Sequence, residues 1–182
     1  MLPYMSLPTY PEWTDLELHH QSDMQPMLDA LTDGISEFTF AGLYLFKDQY
    51  RYRIALTPPS CEAHRGELMI SGTQRGEDDQ QETFVMLPQG FPGIQLAEEL
   101  LDQFCGIKNL SETAAETHRI DFERRGFCVL QDRDNFDYIY TRKELAELSG
   151  RKFHKKKNLV NGFVNNYNYE EKWITPNNRG DL

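Results

Sequence analysis

The sequence predicts an α/β (α+β) domain with a mixed, mostly antiparallel central sheet and helices on both of its faces. The first observation is a run of three strand-like segments, residues 51–56, 66–71 and 83–87, joined only by turns. The second is that a glycine-bearing turn and a segment of helical spacing, residues 94–104, follow the third strand. Further helical segments occur before and after these strands, so helices are available to cover both faces.

Length and composition indicate one well-packed domain. The chain has 182 residues, 39% of them apolar and 12% aromatic, which excludes an intrinsically disordered protein. No apolar run reaches the roughly 18 residues that a membrane-spanning helix requires. Residues 1–11 are proline-rich and lack the basic start and apolar core of a secretory signal. We therefore expect a cytoplasmic protein without a transmembrane segment.

The three cysteines, Cys61, Cys105 and Cys128, are far apart in the sequence and have no CxxC spacing. They are expected to be reduced thiols, and most simply small buried apolar residues. The sequence predicts neither a disulfide framework nor a metal site.

A strand and two helices are predicted before the three strands. Residues 13–18 alternate imperfectly and predict a first strand. Ser22 and Asp23 then offer an N-cap for a helix. Residues 36–46 are ambiguous, because their aromatic residues favour a strand whereas Ser36 as a cap favours a short helix. We prefer the helix.

The three strands are predicted to form hairpins. In the first, Tyr52, Ile54 and Leu56 alternate onto one face. Residues 72–82 form a polar, acidic loop between the second and third strands, and residues 77–79 are most simply its solvated tip.

Strands and helices also alternate after the third strand. A helix opened by Ser111 or Thr113 and ended by Gly126 is predicted. The other predicted elements are short strands at residues 107–110, 127–130, 136–140 and 169–174, a charged turn at residues 132–135 and a small helix at residues 143–148.

Gly90 and Gly93 lie between the third strand and the helix that follows it. A strand, a glycine turn and a helix N-terminus can together hold a phosphate on backbone amides, so both glycines are candidate cofactor-binding residues. Such junctions are also common as ordinary turns, and that alternative remains open.

Residues 149–167 predict the helix around which the functional interpretation is built. Ser149 is a candidate N-cap. Residues at helical spacing form one face: Phe153, Lys156, Val160, Phe163, Val164 and Tyr167. The candidate anion-binding residues at its start are Arg151, Lys152, Lys155, Lys156, Lys157 and Asn158.

This helix start is unusual in its charge. Residues 142–157 carry seven cations against two carboxylates, a net charge of +5, whereas the whole chain carries −10 and the remainder therefore −15. Positive charge opposes the helix dipole at an N-terminus, and a bound anion would relieve that conflict. The alternative is an ordinary solvated face of an amphipathic helix.

Three blocks, residues 36–50, 132–140 and 148–161 with the tail to Pro176, resemble the bacterial family allied to the C-terminal domain of phosphatidylglycerol lysyltransferase. The resemblance implies a GNAT-like (acyl-CoA N-acyltransferase) fold and transfer of an aminoacyl or acyl group. The implied donor is an aminoacyl-tRNA or an acyl-CoA, and the acceptor is an amine or hydroxyl, such as a lipid headgroup. It also implies the first of two tandem domains: a lead-in at residues 1–12, a GNAT-like domain at 13–175, and a tail or linker at 176–182 to a second GNAT-like domain on which the first packs.

Transfer chemistry requires a group that removes a proton from the nucleophile. His154 is a candidate base, because the neighbouring cations would keep its imidazole neutral at pH 7. Asp137 and Tyr138, with Tyr140, are further proton-handling candidates on a predicted neighbouring strand. For each of them a purely structural role is the alternative. The basic residues would contact the phosphates of tRNA or an anionic lipid headgroup. Two other hypotheses are a non-catalytic module that binds RNA or anionic lipid, and a structural half that packs on the second domain.

Overall fold

The computed structural model describes residues 7–32, 34–59, 66–76, 78–91 and 93–178. They form two compact units. The sheet unit extends to Asp137 and the helical unit begins at Tyr138.

A five-stranded sheet forms the centre of the sheet unit. Its strands are β1 (Thr14–Asp15), β2 (Arg53–Leu56), β3 (Leu68–Arg75), β4 (Gln81–Met86) and β5 (Ile107–Lys108). They lie side by side in chain order. The pairs from β1 to β4 are antiparallel and β4 pairs with β5 in parallel, which confirms the mixed, mostly antiparallel sheet.

Among the described residues, five helices belong to the sheet unit and two to the helical unit. The first five are α1 (Gln21–Asp29), α2 (Phe40–Leu45), α3 (Lys47–Tyr50), α4 (Ile94–Gln103) and α5 (Glu112–Arg124). The helical unit contains α6 (Arg142–Glu147) and α7 (His154–Asn166). Short 3-10 turns occur at Leu18–His20, Arg133–Asn135 and Arg151–Phe153. Within the described ranges, no helix is long and apolar enough to cross a bilayer.

The strand residues alternate between two cores, one on each face of the sheet. Tyr52, Ile54 and Leu56 share the core that α1 and α2 cover, as predicted. Ala55, between them, faces the opposite core together with Leu100 of α4. Helices therefore cover both faces, and the predicted fold class is confirmed.

Two predicted helix starts are wrong by a few residues, and a third is confirmed. Helix α1 begins at Gln21 behind His20, without a side-chain cap from Ser22 or Asp23. Thr39, not Ser36, caps α2, and its Oγ1 accepts a hydrogen bond from the backbone N of Gly42 at 3.1 Å. Of the two caps proposed for α5, the structure selects Ser111 over Thr113.

The segment predicted to begin at Ser149 has a different start. Gly150, with φ of 89°, precedes the 3-10 turn, so Ser149 is not the N-cap. On the predicted apolar face only Phe153 is buried, and the exposed fractions of Val160, Phe163 and Val164 are 50%, 50% and 46%. This face is uncovered within the described helical unit.

The observed strands differ from the predicted ones in two ways: β3 and β4 are longer, and three other predicted strands are absent from the described residues. Strands β3 and β4 extend into the polar segment 72–82, because cross-strand pairing continues from Gly72 to Arg75 despite the lack of apolar residues. Of its predicted tip, Glu77 lies outside the described residues. Conversely, residues 127–130, 136–140 and 169–174 form no strands. Residues 13–18 reduce to the two-residue β1.

The prediction for the cysteines is correct in part. Cys105 and Cys128 are free thiols, as predicted, but they are exposed rather than buried. Cys61 lies outside the described residues.

Candidate functional site

The basic cluster consists of Arg151, Lys152, Lys155, Lys156, Lys157 and Asn158 in the helical unit. Its side chains are all exposed, and they occupy a 3-10 turn and the first turns of α7. Phe153 between them is 2% exposed and fixes this segment. The positive φ of Gly150 allows the chain to turn into the cluster directly after α6.

One cation of the cluster is paired within the helical unit. Lys152 forms an ion pair with Glu144, and its Nζ lies 5.0 Å from the centroid of the Phe153 ring. Glu144 also accepts a hydrogen bond from the backbone N of Thr141 at 3.1 Å and so completes the capping box of α6. The hydrogen bond from Lys152, followed by that from Thr141, lowers the pKa of Glu144. Because its charge is paired with Glu144, Lys152 holds the start of the basic cluster against α6 and is less available to an external anion than the unpaired cations.

The other cations of the cluster have no carboxylate partner in the described part of the chain. Arg151, Lys155, Lys156 and Lys157 form no ion pair there. Lys156 Nζ lies 5.0 Å from the centroid of the Tyr140 ring, which is a cation–π contact and leaves the charge unneutralised. These side chains can donate hydrogen bonds to phosphate oxygens without breaking an existing ion pair.

The candidate catalytic residues are distributed over both units. Asp137 belongs to the sheet unit, where its Oδ2 accepts a hydrogen bond from the backbone N of Ser36 at 3.0 Å. Hydrogen bonding from Ser36 lowers the pKa of Asp137, so its carboxylate is a poor base. Tyr138 and His154 belong to the helical unit. The side chain of Tyr138 is 88% exposed and stacks on Tyr140, with ring centroids 6.5 Å apart, in a segment that is not the predicted strand. His154 is the exposed first residue of α7, and within the described residues its side chain makes no hydrogen bond.

Gly90 and Gly93 lie where the sequence predicted them, between β4 and α4. Gly93 has φ of 118° and directly precedes α4, whose first turn has no side-chain cap. A Cβ atom at either glycine would have no neighbour within 4 Å, so backbone conformation rather than crowding requires these glycines. Gln89 fixes the turn, because its Oε1 accepts from the backbone N of Leu68 and its Nε2 donates to the carbonyl oxygen of Met27.

The sheet unit also contains a pocket that was not predicted from the sequence. This aromatic pocket has a volume of about 340 Å³ and is lined by Tyr50, Tyr52, Phe84, Lys108 and Asn109, among others. Its residues come from α2, α3, β3, β4, β5 and the segments that flank these elements. No local pattern could reveal it, because the lining residues are dispersed over about half of the chain.

The model of the family described as phosphatidylglycerol lysyltransferase, C-terminal, matches residues 29–182. The chain belongs to this family. No curated protein and no solved structure gave a significant match.

The match to the phosphatidylglycerol lysyltransferase C-terminal family covers everything described above as a candidate site. The basic cluster, the aromatic pocket, the turn at Gly90 and the three candidate catalytic residues all lie within residues 29–182. The protein is therefore a lysyltransferase-related domain.

Proposed function

We propose that this chain takes part in aminoacyl or acyl transfer, and that its basic cluster binds phosphate groups of a substrate. The preferred donor is an aminoacyl-tRNA, with an acyl-CoA as the alternative, and the acceptor is an amine or hydroxyl such as that of a lipid headgroup. The observation that supports this most is the set of four exposed cations, Arg151, Lys155, Lys156 and Lys157, without carboxylate partners in the described residues.

Electrostatics supports the basic cluster over other surfaces. The remainder of the chain carries −15, so a polyanion is repelled by most of the surface and attracted to one segment. The five cations of the basic cluster limit the contact to a few phosphates, which fits the end of a tRNA or a headgroup better than a long duplex.

Catalysis requires more than the basic cluster. We propose that a linker at residues 176–182 leads to a second GNAT-like domain, which packs on the GNAT-like domain at residues 13–175. The second domain completes the active site, and the protein acts in the cytoplasm. His154 and Tyr138 are then the proton-handling candidates, while Asp137 has a structural role through Ser36. The turn at Gly90 and Gly93 would hold the pyrophosphate if the donor is an acyl-CoA.

A binding experiment with three ligands tests the proposal. The protein is titrated with uncharged tRNA, with acetyl-CoA, and with phosphatidylglycerol vesicles against phosphatidylcholine vesicles, each at two salt concentrations. The test variant is Lys155→Gln/Lys156→Gln/Lys157→Gln. The control is Arg75→Gln/Arg124→Gln/Lys172→Gln, which removes the same charge from exposed positions outside the basic cluster. We expect tRNA binding that the test variant loses and the control keeps. Equal tRNA binding by wild type, test variant and control would contradict the proposal.

A second candidate function is supported by the uncovered face of α7. Leu159, Val160, Phe163, Val164 and Tyr167 are exposed directly after the basic residues. A helix with cations and an uncovered apolar face is the kind that binds the surface of an anionic bilayer. Preference for phosphatidylglycerol vesicles, lost in Val160→Ser/Phe163→Ser while tRNA binding persists, would favour this non-catalytic role.

A further inference from the structure

The aromatic pocket of the sheet unit has a flat apolar wall. The rings of Tyr50 and Tyr52 stack with centroids 5.3 Å apart, and Phe84 meets Tyr50 edge-on at 6.4 Å. The Thr73 hydroxyl donates to the carbonyl oxygen of Tyr50 at 3.1 Å and fixes its backbone on β3. Rings held in this way offer a preformed surface for a planar apolar group.

A cation is held at the same pocket. Lys108, the last residue of β5, is half-buried, and its Nζ donates to Gln74 Oε1 at 2.5 Å. Gln74 is oriented in turn by its Nε2, which donates to Glu82 Oε2 at 3.4 Å. The ammonium also lies 5.2 Å from the centroid of the Phe84 ring.

These contacts position the ammonium of Lys108 but do not neutralise it. Its hydrogen-bond acceptor is a neutral amide, and no carboxylate of the described residues lies within 4.0 Å. An ammonium group has three donors, and only one of them is used by Gln74. A charge in a partly desolvated pocket with unused donors is best satisfied by an anion.

Two further groups define the ligand. Tyr52 is buried and lines the pocket, and burial, followed by Tyr50 and Glu37, raises its pKa, so the phenol keeps its proton and can donate. The hydroxyl of Tyr52 makes no hydrogen bond with the described residues. Because no fully buried polar side-chain atom of these residues lacks a hydrogen-bond partner, this hydroxyl is in contact with solvent. Glu37 lines the pocket as well and would disfavour a ligand with a second anionic group.

We infer that this pocket binds a small organic anion with one negative group and a flat apolar body, the anionic group on Lys108 and the flat body against Tyr50 and Phe84. The volume of about 340 Å³ lies at the small end of ligand sites and suits a ligand about the size of a phenyl carboxylate or phosphate. This site lies in the sheet unit and is independent of the basic cluster of the helical unit.

Three probes of the same shape test the inference by calorimetry or ligand-observed NMR. They are phenylacetate, phenyl phosphate and the neutral 2-phenylethanol. We expect at least one anion to bind saturably, and 2-phenylethanol to bind about tenfold or more weakly, because a charge-assisted hydrogen bond is lost. The stronger of the two anions identifies the group as carboxylate or phosphate.

Two variants and one control complete the experiment. Lys108→Met should weaken the anion by about tenfold or more and leave 2-phenylethanol unchanged. Tyr50→Leu should weaken all three probes. The basic-cluster variant Lys155→Gln/Lys156→Gln/Lys157→Gln should bind the probes as wild type does, so failure of this inference and failure of the proposed function are distinguishable.

Three results would overturn the inference. The first is equal binding of the neutral and anionic probes to the wild-type protein, a measurement that does not depend on the folding of a variant. The second is an unchanged anion affinity in a folded Lys108→Met protein. The third is the absence of saturable binding by both anions.

Discussion

The carboxylate of Asp137 accepts a hydrogen bond from the backbone N of Ser36 at 3.0 Å, across 101 positions of the chain. Ser36 lines the aromatic pocket, so this bond fixes one wall of the pocket to the end of the sheet unit. Asp137 is a predicted catalytic residue, but its hydrogen bond with Ser36 indicates a structural role.

Replacing Asp137 tests this bond. Hydrogen bonding from Ser36 lowers the pKa of Asp137 below its usual 3.8, so the stabilisation is present above that value and is lost as pH falls through the lower folded pKa. Asp137→Ala should lower the free energy of unfolding by less than about 1 kcal/mol at pH 7, since the group is exposed. Thermal unfolding against pH should show the difference vanish in strong acid. A difference that grows on acidification would contradict this account, and Asp121→Ala, at an exposed carboxylate without a partner in the described residues, is the control.

The cap of α6 gives a second prediction. Thr141 Oγ1 accepts from the backbone N of Glu144 at 3.2 Å, so Thr141→Ala should cost about 1 kcal/mol of local stability. Hydrogen exchange of the α6 amides measures the loss. Thr141→Ser keeps the hydroxyl and should restore most of the protection, whereas unchanged exchange in Thr141→Ala would show that the cap contributes nothing.

Close packing between β2 and β3 gives a third prediction. A Cβ atom on Gly66 would overlap the carbonyl oxygen of Thr57, whose backbone N is bonded to the carbonyl oxygen of Glu67 at 2.8 Å. Because the obstacle is backbone, Gly66→Ala should lower the free energy of unfolding by about 1–3 kcal/mol in denaturant titrations.

Gly106 is the matched control for this substitution. A Cβ atom there would meet nothing within 4 Å, and its φ is not in the left-handed region. Gly106→Ala should therefore be within about 0.5 kcal/mol of wild type. Equal losses in the two variants would argue against the close approach at Thr57.

The salt dependence of tRNA binding is the fourth prediction. Each phosphate contact contributes about 0.7–0.9 to the slope of log affinity against log salt, so losing Lys155, Lys156 and Lys157 should reduce the slope by about 2–3. The measurement is a tRNA titration between about 50 and 200 mM salt, with the matched triple variant of exposed cations as the control. A parallel loss of affinity without a change of slope would mean that the lysines act through folding rather than through phosphate contacts.

Regular alternation of apolar and polar residues made the central strands predictable. Where a segment had only a strand-like composition, the strand prediction was wrong. The alternation of Tyr52, Ile54 and Leu56 identified β2 because it reflects real burial on one face. Residues 136–140 and 169–174 have strand-like composition but no neighbouring strand to pair with. Tyr138, Ile139 and Trp173 remain about nine-tenths exposed, because β propensity measures fit to a sheet rather than an intrinsic backbone preference.

The two candidate sites differ in how far the sequence could reveal them. The basic cluster is contiguous, so a charge count located it. Its pairing of Lys152 with Glu144 depends on the turn at Gly150 and was not predictable. The aromatic pocket joins Tyr50 to Lys108 through the sheet, and only strand order brings residues so distant in sequence together.

The order of the strands has a consequence for biosynthesis. Every strand pairs with its predecessor in the chain, and β2, β3 and β4 form two successive hairpins that can close before the next segment has left the ribosome. The steps from β1 to β2 and from β4 to β5 wait for intervening helices, and the second of these steps also delivers Lys108 beside Phe84. We therefore expect β2, β3 and β4 to pair early during synthesis, and the aromatic pocket to be completed last.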